Sequence, residues 1–352
     1  MAAVSGIRSS PVGRLILGRQ GELGVLRDTL ANARAGHGRI VLIGGEAGIG
    51  KTCLVDACLA ELADGFQILR TRAHELDRHR PFGAFVEPLT PRPDEAASEA
   101  GEFARLLGGE QPRGDLHLVH EPGARVHVLE AILAALERLW MRRALLLAVE
   151  DVQWADPESL TCLYHLARRV SVAPVIVLLT YRPAPHLPEL EALIGSLLEL
   201  GAPAMTLGPL DAPMVNDLAA HLLGVPPGAT LTRQLGRAGG NPLFVTALLQ
   251  ALCQEGVLEV RDGRVEGLKD IVPPSLRLII LRRLAVLSAP CLEVLRLASI
   301  LGRYFSPYDL CLVAGRPAPS LTPPLREALE AGFLYEQGDD LAFRHELVWE
   351  AI

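Results

Sequence analysis

Residues 45–52 read Gly45-Glu46-Ala47-Gly48-Ile49-Gly50-Lys51-Thr52. This octapeptide fits the phosphate-binding (Walker A) pattern G-x-x-x-x-G-K-[ST] at every constrained position. Its glycines let the backbone turn N–H groups inward around an anion, and the helix that follows adds its positive end. The pattern predicts that Lys51 reaches the β- and γ-phosphates of a nucleotide and that Thr52 is a ligand of Mg²⁺. We assign Cys53, the next residue, to the same site.

The lysine at position 51 is an exception in this chain. There are only two lysines, Lys51 and Lys269, among 34 basic residues, and all the others are arginines. A compact ammonium group fits between phosphate oxygens, where the broad planar guanidinium of arginine does not substitute well. The exception therefore supports a nucleotide-binding loop.

The segments around the loop predict an α/β fold. Apolar runs indicate strands at 39–43, 66–72, 144–149, 175–180 and 205–207. Helical patterns lie at 18–30, 51–63, 125–141 and 157–170, the last with Asp156 as its N-cap, and a short one lies near 103–107. Continuous apolar strands that alternate with helices indicate a parallel sheet covered on both faces. We expect a P-loop NTPase with a five-stranded parallel sheet flanked by helices.

The second part of the chain has a different pattern. Strand patterns vanish after Asp211, and helices are predicted at 211–223, 229–237, 242–255, 275–287, 290–301, 307–314 and 321–331. Two short strands at 333–336 and 341–344 then flank a Gly-Asp-Asp turn. Helices followed by a hairpin resemble a winged-helix unit.

These patterns divide the chain into four predicted parts. They are a flexible amino terminus at 1–14, a P-loop ATPase domain at 15–209, a helical lid domain at 210–270 and a winged-helix-like domain at 271–352. The final residues, up to Ile352, have a helical pattern without a capping residue, so we expect the natural chain to continue.

The composition restricts the functional classes. With 49% hydrophobic and 21% charged residues the chain is typical of folded soluble proteins, and its net charge of −7 gives no broad electrostatic reason to bind nucleic acid. The six cysteines form no Cys-x-x-Cys pair, which favours reduced thiols in a cytoplasmic protein. Neither a signal peptide nor an apolar run of membrane-spanning length is visible, so no membrane partner is expected.

A pair of acidic residues follows the strand predicted at 144–149. Glu150 and Asp151 come at its carboxyl end, which in a parallel sheet lies beside the phosphate loop. Carboxylates there suit coordination of Mg²⁺ and polarisation of an attacking water molecule. We predict Glu150 as a ligand of Mg²⁺ and both residues as catalytic.

Four segments carry a resemblance to a known family. Residues 150–160 read Glu-Asp-Val-Gln-Trp-Ala-Asp-Pro-Glu-Ser-Leu and resemble the D-D-x-H-W-A-D-P-x-S-L segment of signal-transduction ATPases with numerous domains (AAA-related P-loop NTPases). In particular, they resemble the ATPase module of large ATP-binding regulators of the LuxR family. Similar family segments match at 17–23 (Leu-Gly-Arg-Gln-Gly-Glu-Leu), 239–245 (Gly-Gly-Asn-Pro-Leu-Phe-Val) and 343–348 (Phe-Arg-His-Glu-Leu-Val). The resemblance extends over residues 15–352.

The resemblance implies further site residues. Arg19 would lie near the adenine, Pro242 would pack on it, and Arg182 would act as the polar sensor of the γ-phosphate. His345 would contact the β-phosphate of ADP and hold a closed state. The family usually has aspartate where this chain has Glu150, which is one methylene longer, and Asp151 would orient the attacking water.

The resemblance also implies a function. The chain would be a slowly hydrolysing ATP/ADP switch that self-associates in its ATP state and responds to an unknown inducer. It would reach DNA only through a carboxyl-terminal helix-turn-helix that is not in this chain. Two alternatives stay open: a non-hydrolysing nucleotide-gated scaffold, permitted by the altered acidic pair, and a DNA-remodelling ATPase like the origin-recognition proteins. In the DNA-remodelling alternative, the basic cluster that would contact DNA is formed by Arg277, Arg282, Arg283 and Arg296.

Overall fold

A five-stranded parallel sheet organises the first half of the protein. The computed structural model describes residues 16–89, 122–183, 187–268, 274–284 and 287–352. The strands are β1 (Arg39–Gly45), β2 (Gln67–Arg72), β3 (Leu145–Glu150), β4 (Val175–Tyr181) and β5 (Ala204–Leu207). They are ordered β2-β3-β4-β1-β5, and all neighbours are parallel. The predicted five-stranded parallel sheet is confirmed, and each strand begins and ends within two residues of its predicted bounds.

Both faces of this sheet are buried. In β3, Leu145 and Leu147 pack into one apolar cluster, whereas Leu146 and Ala148 pack into a second cluster on the opposite face. Successive side chains of a strand point to opposite faces, so a strand with helices on both sides must be apolar at every position. This explains the continuous apolar runs in the sequence.

Helices cover the two faces. They span Gln20–Arg34, Lys51–Ala57, Gly83–Leu89, Pro122–Arg142, Pro157–Val170 and Pro188–Glu199, and a π-helical turn, Cys58–Leu62, continues the second of them. Asp156 is the predicted N-cap: its carboxylate accepts a hydrogen bond from the Ser159 N–H, and it also accepts from the Phe82 and Gly83 N–H groups. The helix predicted near 103–107 and the amino-terminal residues 1–14 lie outside the described residues.

The next segment contains helices and one hairpin. The helices Ala212–Leu223, Ala229–Gly236 and Pro242–Gln254 match their predictions. The predicted absence of strands after Asp211 is wrong, because β6 (Leu258–Arg261) and β7 (Arg264–Gly267) pair antiparallel. Asp262 and Gly263 form the turn with φ of 50° and 73°, the positive values that a type I′ hairpin turn requires.

The described residues of the final segment combine five helices with a small sheet. The helices span Pro274–Leu284, Ala289–Leu301, Pro307–Ala314 and Ala318–Glu330, and a short helix, Glu346–Ala351, follows the sheet. The sheet is antiparallel in the order β8-β10-β9, formed by β8 (Tyr304–Phe305), β9 (Leu334–Gln337) and β10 (Asp340–Phe343). The two-residue β8 was not predicted. One apolar cluster extends from Val215 to Ala351, so this segment and the preceding helices share a hydrophobic core.

Two further findings concern the cysteines and the search for membrane-spanning helices. All six cysteines are free thiols. In the part of the chain that the structure describes, we find no helix with the length and apolar character needed to cross a membrane.

Candidate nucleotide-binding site

The phosphate loop lies between β1 and the helix Lys51–Ala57. Gly48 in its centre has φ of 80°, and a Cβ placed there would lie 2.6 Å from Cβ of Leu243. The loop therefore requires glycine at this position for both its backbone conformation and its close approach to the helix Pro242–Gln254. Asn241 adds a hydrogen bond across the same contact, from its side-chain amide to the Ala47 carbonyl at 3.1 Å.

Lys51 is held inside the loop. Its side chain is buried, and its ammonium group donates to the carbonyl oxygens of Gly45 at 2.7 Å and Glu46 at 2.8 Å. These bonds place a positive charge at the centre of the loop, where the sequence motif predicts the phosphates to bind.

The acidic pair lies against the start of the loop helix. The Thr52 hydroxyl donates to Oε2 of Glu150 at 2.7 Å, and Glu150 is almost fully buried. Asp151 adopts a left-handed backbone conformation, with φ of 55°, and its N–H donates to the Thr180 hydroxyl at 3.0 Å. The side chain of Gln153 donates to Oδ1 of Asp151 at 3.2 Å. The structure thus brings the predicted catalytic carboxylates together with Thr52.

Two arginines of β2 also belong to this site, although sequence reasoning did not find them. Arg70 contacts Oε1 of Glu150 at 2.6 Å, and Arg72 contacts Oε2 at 2.9 Å. Burial raises the pKa of Glu150, but hydrogen bonds from Thr52 and the two arginines outweigh it and hold that pKa below its ordinary value. Glu150 is therefore an ionised carboxylate with a partner on each oxygen.

Arg182 and Gln153 connect the site to β4. The backbone N–H of Arg182 donates to Oε1 of Gln153 at 3.1 Å, while the other end of the Gln153 amide holds Asp151. Nε of Arg182 is buried and has no hydrogen-bond partner among the described residues. Gln153 thus holds Asp151 and the backbone of Arg182 in place relative to each other.

Arg19 joins the amino-terminal segment to the loop. Its guanidinium donates to the carbonyl oxygens of Gly208 at 2.5 Å and Ile49 at 3.4 Å, and it pairs with Glu22 at 3.1 Å. These contacts join the start of the helix Gln20–Arg34 to the phosphate loop and to the residue that follows β5, and Arg19 also lines the cavity described next.

A cavity of about 390 Å³ opens above the loop. Its polar lining comes from Arg19, the loop from Ala47 to Cys53, Asp151 and Arg182. The apolar wall, with His221 and Thr246, is formed by Ile16, Leu17, Leu54, Leu210, Leu218, Leu222, Pro242 and Leu243. A lining that combines apolar side chains with the cationic groups of Lys51, Arg19 and Arg182 suits a nucleotide, whose base is flat and weakly polar and whose phosphates are anionic. Of the predicted site residues, Gly45, Glu46, Glu150 and His345 do not line this cavity.

His345 approaches the loop from the carboxyl-terminal segment. Its Nε2 lies 3.3 Å from Oε2 of Glu46, and Arg344 forms an ion pair with the other oxygen of that carboxylate. Burial opposes ionisation of Glu46, but hydrogen bonds and charges from His345 and Arg344 outweigh it and lower the pKa. His345 is buried, and its ring packs edge-on against Phe244 with centroids 4.9 Å apart. His345 thus contacts the loop carboxylate beside the predicted phosphate position.

The oxygens at the loop helix fit Mg²⁺. The Thr52 hydroxyl and the Glu150 carboxylate are hard oxygen donors, which Mg²⁺ prefers, and they are already 2.7 Å apart. Among the described residues, no group of three or more His, Cys, Asp or Glu side chains is placed to hold a metal ion. Magnesium in nucleotide sites typically takes its remaining ligands from phosphates and water, so two protein oxygens are sufficient.

Comparison with known proteins agrees with this geometry. Residues 15–178 match the family model described as AAA ATPase domain. The fold is that of a P-loop NTPase. A Walker-type ATPase of Pyrococcus abyssi superposes with a TM-score of 0.60 at 15% identity, over 96% of this chain and 95% of that one. The Aeropyrum pernix Orc2 protein, in its ADPNP–ADP complexes, gives a TM-score of 0.59 at 15% identity, over 98% and 97% of the two chains.

One curated relative matches in sequence. It is an uncharacterized protein of Rhizobium meliloti (strain 1021), 28% identical over an alignment of 276 residues that covers 69% of this chain. The match covers 26% of the relative, so the chain spans about a quarter of the length of the curated protein it matches. Residues 15–178 are thus similar to AAA ATPase domains, and the chain shares its overall fold with the two superposed structures.

Proposed function

We propose that this chain is an ATP/ADP-controlled signalling switch, in which the bound nucleotide sets the contact between the phosphate loop and the carboxyl-terminal domain. The observation that carries this proposal is the pairing of Glu46, a residue of the loop, with Arg344 and His345. A γ-phosphate bound near Lys51 would add negative charge to the same loop that carries this carboxylate. ATP and ADP therefore interact differently with the domain arrangement, which is what a nucleotide switch requires.

Each site residue has a role in slow hydrolysis. Lys51 and the loop N–H groups bind the phosphates, and Arg182 lines the cavity where it can sense the terminal one. Asp151, fixed by Gln153, orients a water molecule for attack and accepts its proton. Bound through Thr52 and Glu150, Mg²⁺ would supply charge neutralisation to the phosphates.

The apolar lining of the cavity suits the base. Pro242 and the leucines of the lining offer apolar surface for adenine, and Arg19 lines the same cavity. His345 would hold the closed state through Glu46. Its contact with the ADP β-phosphate is a further part of this proposal.

The assignment of the chain to a type of regulator, and its division into domains, follow from the motif resemblance. We assign the chain to the ATPase module of a bacterial cytoplasmic LuxR-type transcriptional regulator, with an ATPase domain at 15–209, a lid at 210–270 and a winged-helix domain at 271–352. The helices Ala289–Leu301, Pro307–Ala314 and Ala318–Glu330, followed by the β9–β10 hairpin with β8 paired to it, support the winged-helix assignment. The module would self-associate in the ATP state, respond to an inducer and reach DNA through a helix-turn-helix elsewhere in the full protein.

Turnover measurements test the enzymatic part of the proposal. ATP hydrolysis and nucleotide binding are measured together for the unmodified chain, Lys51→Ala and Asp151→Asn. We expect slow ATP turnover by the unmodified chain and none by Lys51→Ala, because that variant no longer binds the nucleotide. Asp151→Asn should still bind the nucleotide but turn it over at least tenfold more slowly, since it has lost the group that orients water. If the unmodified chain binds no nucleotide, the proposal is wrong.

A non-hydrolysing scaffold is the second candidate. It is favoured by the burial of Glu150 between two arginines, which ties up the carboxylate that hydrolysis would use for Mg²⁺. Tight nucleotide binding by the unmodified chain, together with ATP turnover no faster than that of Lys51→Ala, would favour the non-hydrolysing scaffold.

A DNA-remodelling ATPase is the third candidate, and the likeness of the fold to Orc2 favours it. Within the proposed basic cluster, however, Arg277 donates to the Ala351 carbonyl at 2.8 Å, which gives it a structural role. The side chains of Arg282 and Arg283 lie outside the described part of the chain. Salt-dependent DNA binding by the full chain would support this candidate, and its absence would remove it.

A further inference from the structure

Arg72 contacts three of the groups that the proposed chemistry uses. It lies at the end of β2, in register with Glu150 on β3. Its Nη2 is 2.9 Å from Oε2 of Glu150 and 3.3 Å from the Thr52 hydroxyl, and its Nε is 3.6 Å from Oδ2 of Asp151. The guanidinium thus lies on the same oxygens that would hold Mg²⁺ and orient water.

Arg70, two residues earlier on the same strand, makes different contacts. It reaches the other oxygen of Glu150, Oε1, at 2.6 Å, and it also pairs with Asp56 at 2.7 Å. Arg70 is therefore held between two carboxylates at the rear of the site. Of the two arginines, Arg72 is the one that shares Thr52 Oγ1 and Glu150 Oε2 with the proposed metal.

The exposure of the side chains indicates which partner can move. The Arg72 side chain is 42% exposed, whereas that of Glu150 is 2% exposed. A half-exposed arginine can change rotamer at little cost, while the buried carboxylate is fixed by its packing. Arg72 and Glu150 would therefore separate by movement of the Arg72 side chain.

We propose that Arg72 competes with Mg²⁺ for Thr52 and Glu150, so that the metal enters the site together with a nucleotide phosphate and not alone. This inference rests on the nucleotide-binding function proposed above. A free divalent cation would gain two protein oxygens and meet two guanidinium groups, which cannot lose their charge. A metal–nucleotide complex brings phosphate oxygens of its own, and a guanidinium displaced from a carboxylate binds phosphate well. Arg72 is thus a positioning residue that selects the metal–nucleotide complex.

The test is a Mg²⁺ titration of nucleotide binding by the full chain. A fluorescent ADP analogue is bound first in EDTA and then at increasing Mg²⁺, with the unmodified protein and with Arg72→Met, Arg72→Gln, Arg72→Lys and Arg70→Met. We expect both neutral variants at position 72 to lower the Mg²⁺ concentration at half-saturation by about tenfold, as for removal of one nearby positive charge. Arg72→Lys keeps that charge, so its Mg²⁺ concentration at half-saturation should stay within about threefold of that of the unmodified protein. Arg70→Met should lower this concentration less than Arg72→Met does.

A second readout uses no nucleotide. Calorimetric titration with MgCl₂ alone should show binding to Arg72→Met and none to the unmodified protein. The inference is overturned if Arg72→Gln, which can still donate hydrogen bonds to Thr52 and Glu150, binds the analogue normally in EDTA and leaves the Mg²⁺ midpoint unchanged. Failure of the unmodified protein to bind the analogue at any Mg²⁺ concentration would instead remove the proposed function itself.

Discussion

The Glu46 carboxylate lies 3.3 Å from Nε2 of His345, although the two residues are 299 positions apart in sequence. Glu46 belongs to the phosphate loop, and His345 directly precedes the helix Glu346–Ala351 at the end of the chain. The contact therefore joins the loop that would hold the phosphates to the domain most distant from it in sequence. Any change of charge in the loop acts directly on this interface.

Substitution Glu46→Gln should loosen this interface. Glutamine keeps the shape but loses the charge that Arg344 and His345 share, and the pair is partly buried, so we expect a loss of about 1 kcal/mol in the closed arrangement. Release of bound ADP, followed by stopped-flow fluorescence, should become about fivefold faster. Glu336→Gln, an exposed change on β9, is the control and should leave the rate unchanged. An unchanged rate in Glu46→Gln would show that the contact does not hold the nucleotide.

Substitution Gly48→Ala should abolish nucleotide binding. The added Cβ would be 2.6 Å from Leu243 and would also strain a residue whose φ is 80°. We expect affinity for ADP to fall by at least a hundredfold and the melting temperature to fall by several degrees, since such strain costs about 1–3 kcal/mol. Gly21→Ala, on the helix Gln20–Arg34 with no atoms within 4 Å of the new methyl group, serves as the matched control and should bind normally. Normal ADP binding by Gly48→Ala would contradict the placement of phosphates in this loop.

The stability of the protein should depend on Glu150 in acid. Its pKa is lowered in the folded state, because the bonds from Thr52, Arg70 and Arg72 outweigh its burial. Such a group stabilises the fold above its unfolded pKa of about 4.5, and this contribution is lost as pH falls through the lower folded pKa. Urea unfolding between pH 6 and pH 3 should show a free energy of unfolding that falls with acid. The slope should be smaller in Glu150→Gln and unchanged in Glu336→Gln. Equal slopes in all three proteins would exclude this role of Glu150.

Much of the fold was predictable because its signals are local. The phosphate loop, the five parallel strands and the N-cap Asp156 are each specified by residues close together in sequence. The β6–β7 hairpin could also have been found, since Asp262-Gly263 between alternating side chains is a typical hairpin turn. It was missed because each of its strands has only four residues, between strongly helical neighbours.

The contacts that define the site were not predictable in the same way. Arg72 and Glu150 are 78 residues apart, and they meet only because β2 and β3 pair in one particular register. A shift of one residue would point Arg72 to the opposite face. The pairing of Glu46 with His345 depends on how the carboxyl-terminal segment packs against the phosphate loop, which no local pattern specifies. The sequence thus indicated candidate residues for the chemistry, but not what each one contacts.

The central claim is that the nucleotide controls the contact between the phosphate loop and the carboxyl-terminal domain. Amide hydrogen exchange of the full chain, saturated either with ADP or with a non-hydrolysable ATP analogue, measures this most directly. We expect slower exchange with ADP than with the analogue in residues 343–351 and around Glu46, and no difference between the nucleotides in Lys51→Ala. Equal exchange of these segments in the two saturated states of the unmodified protein would contradict the claim.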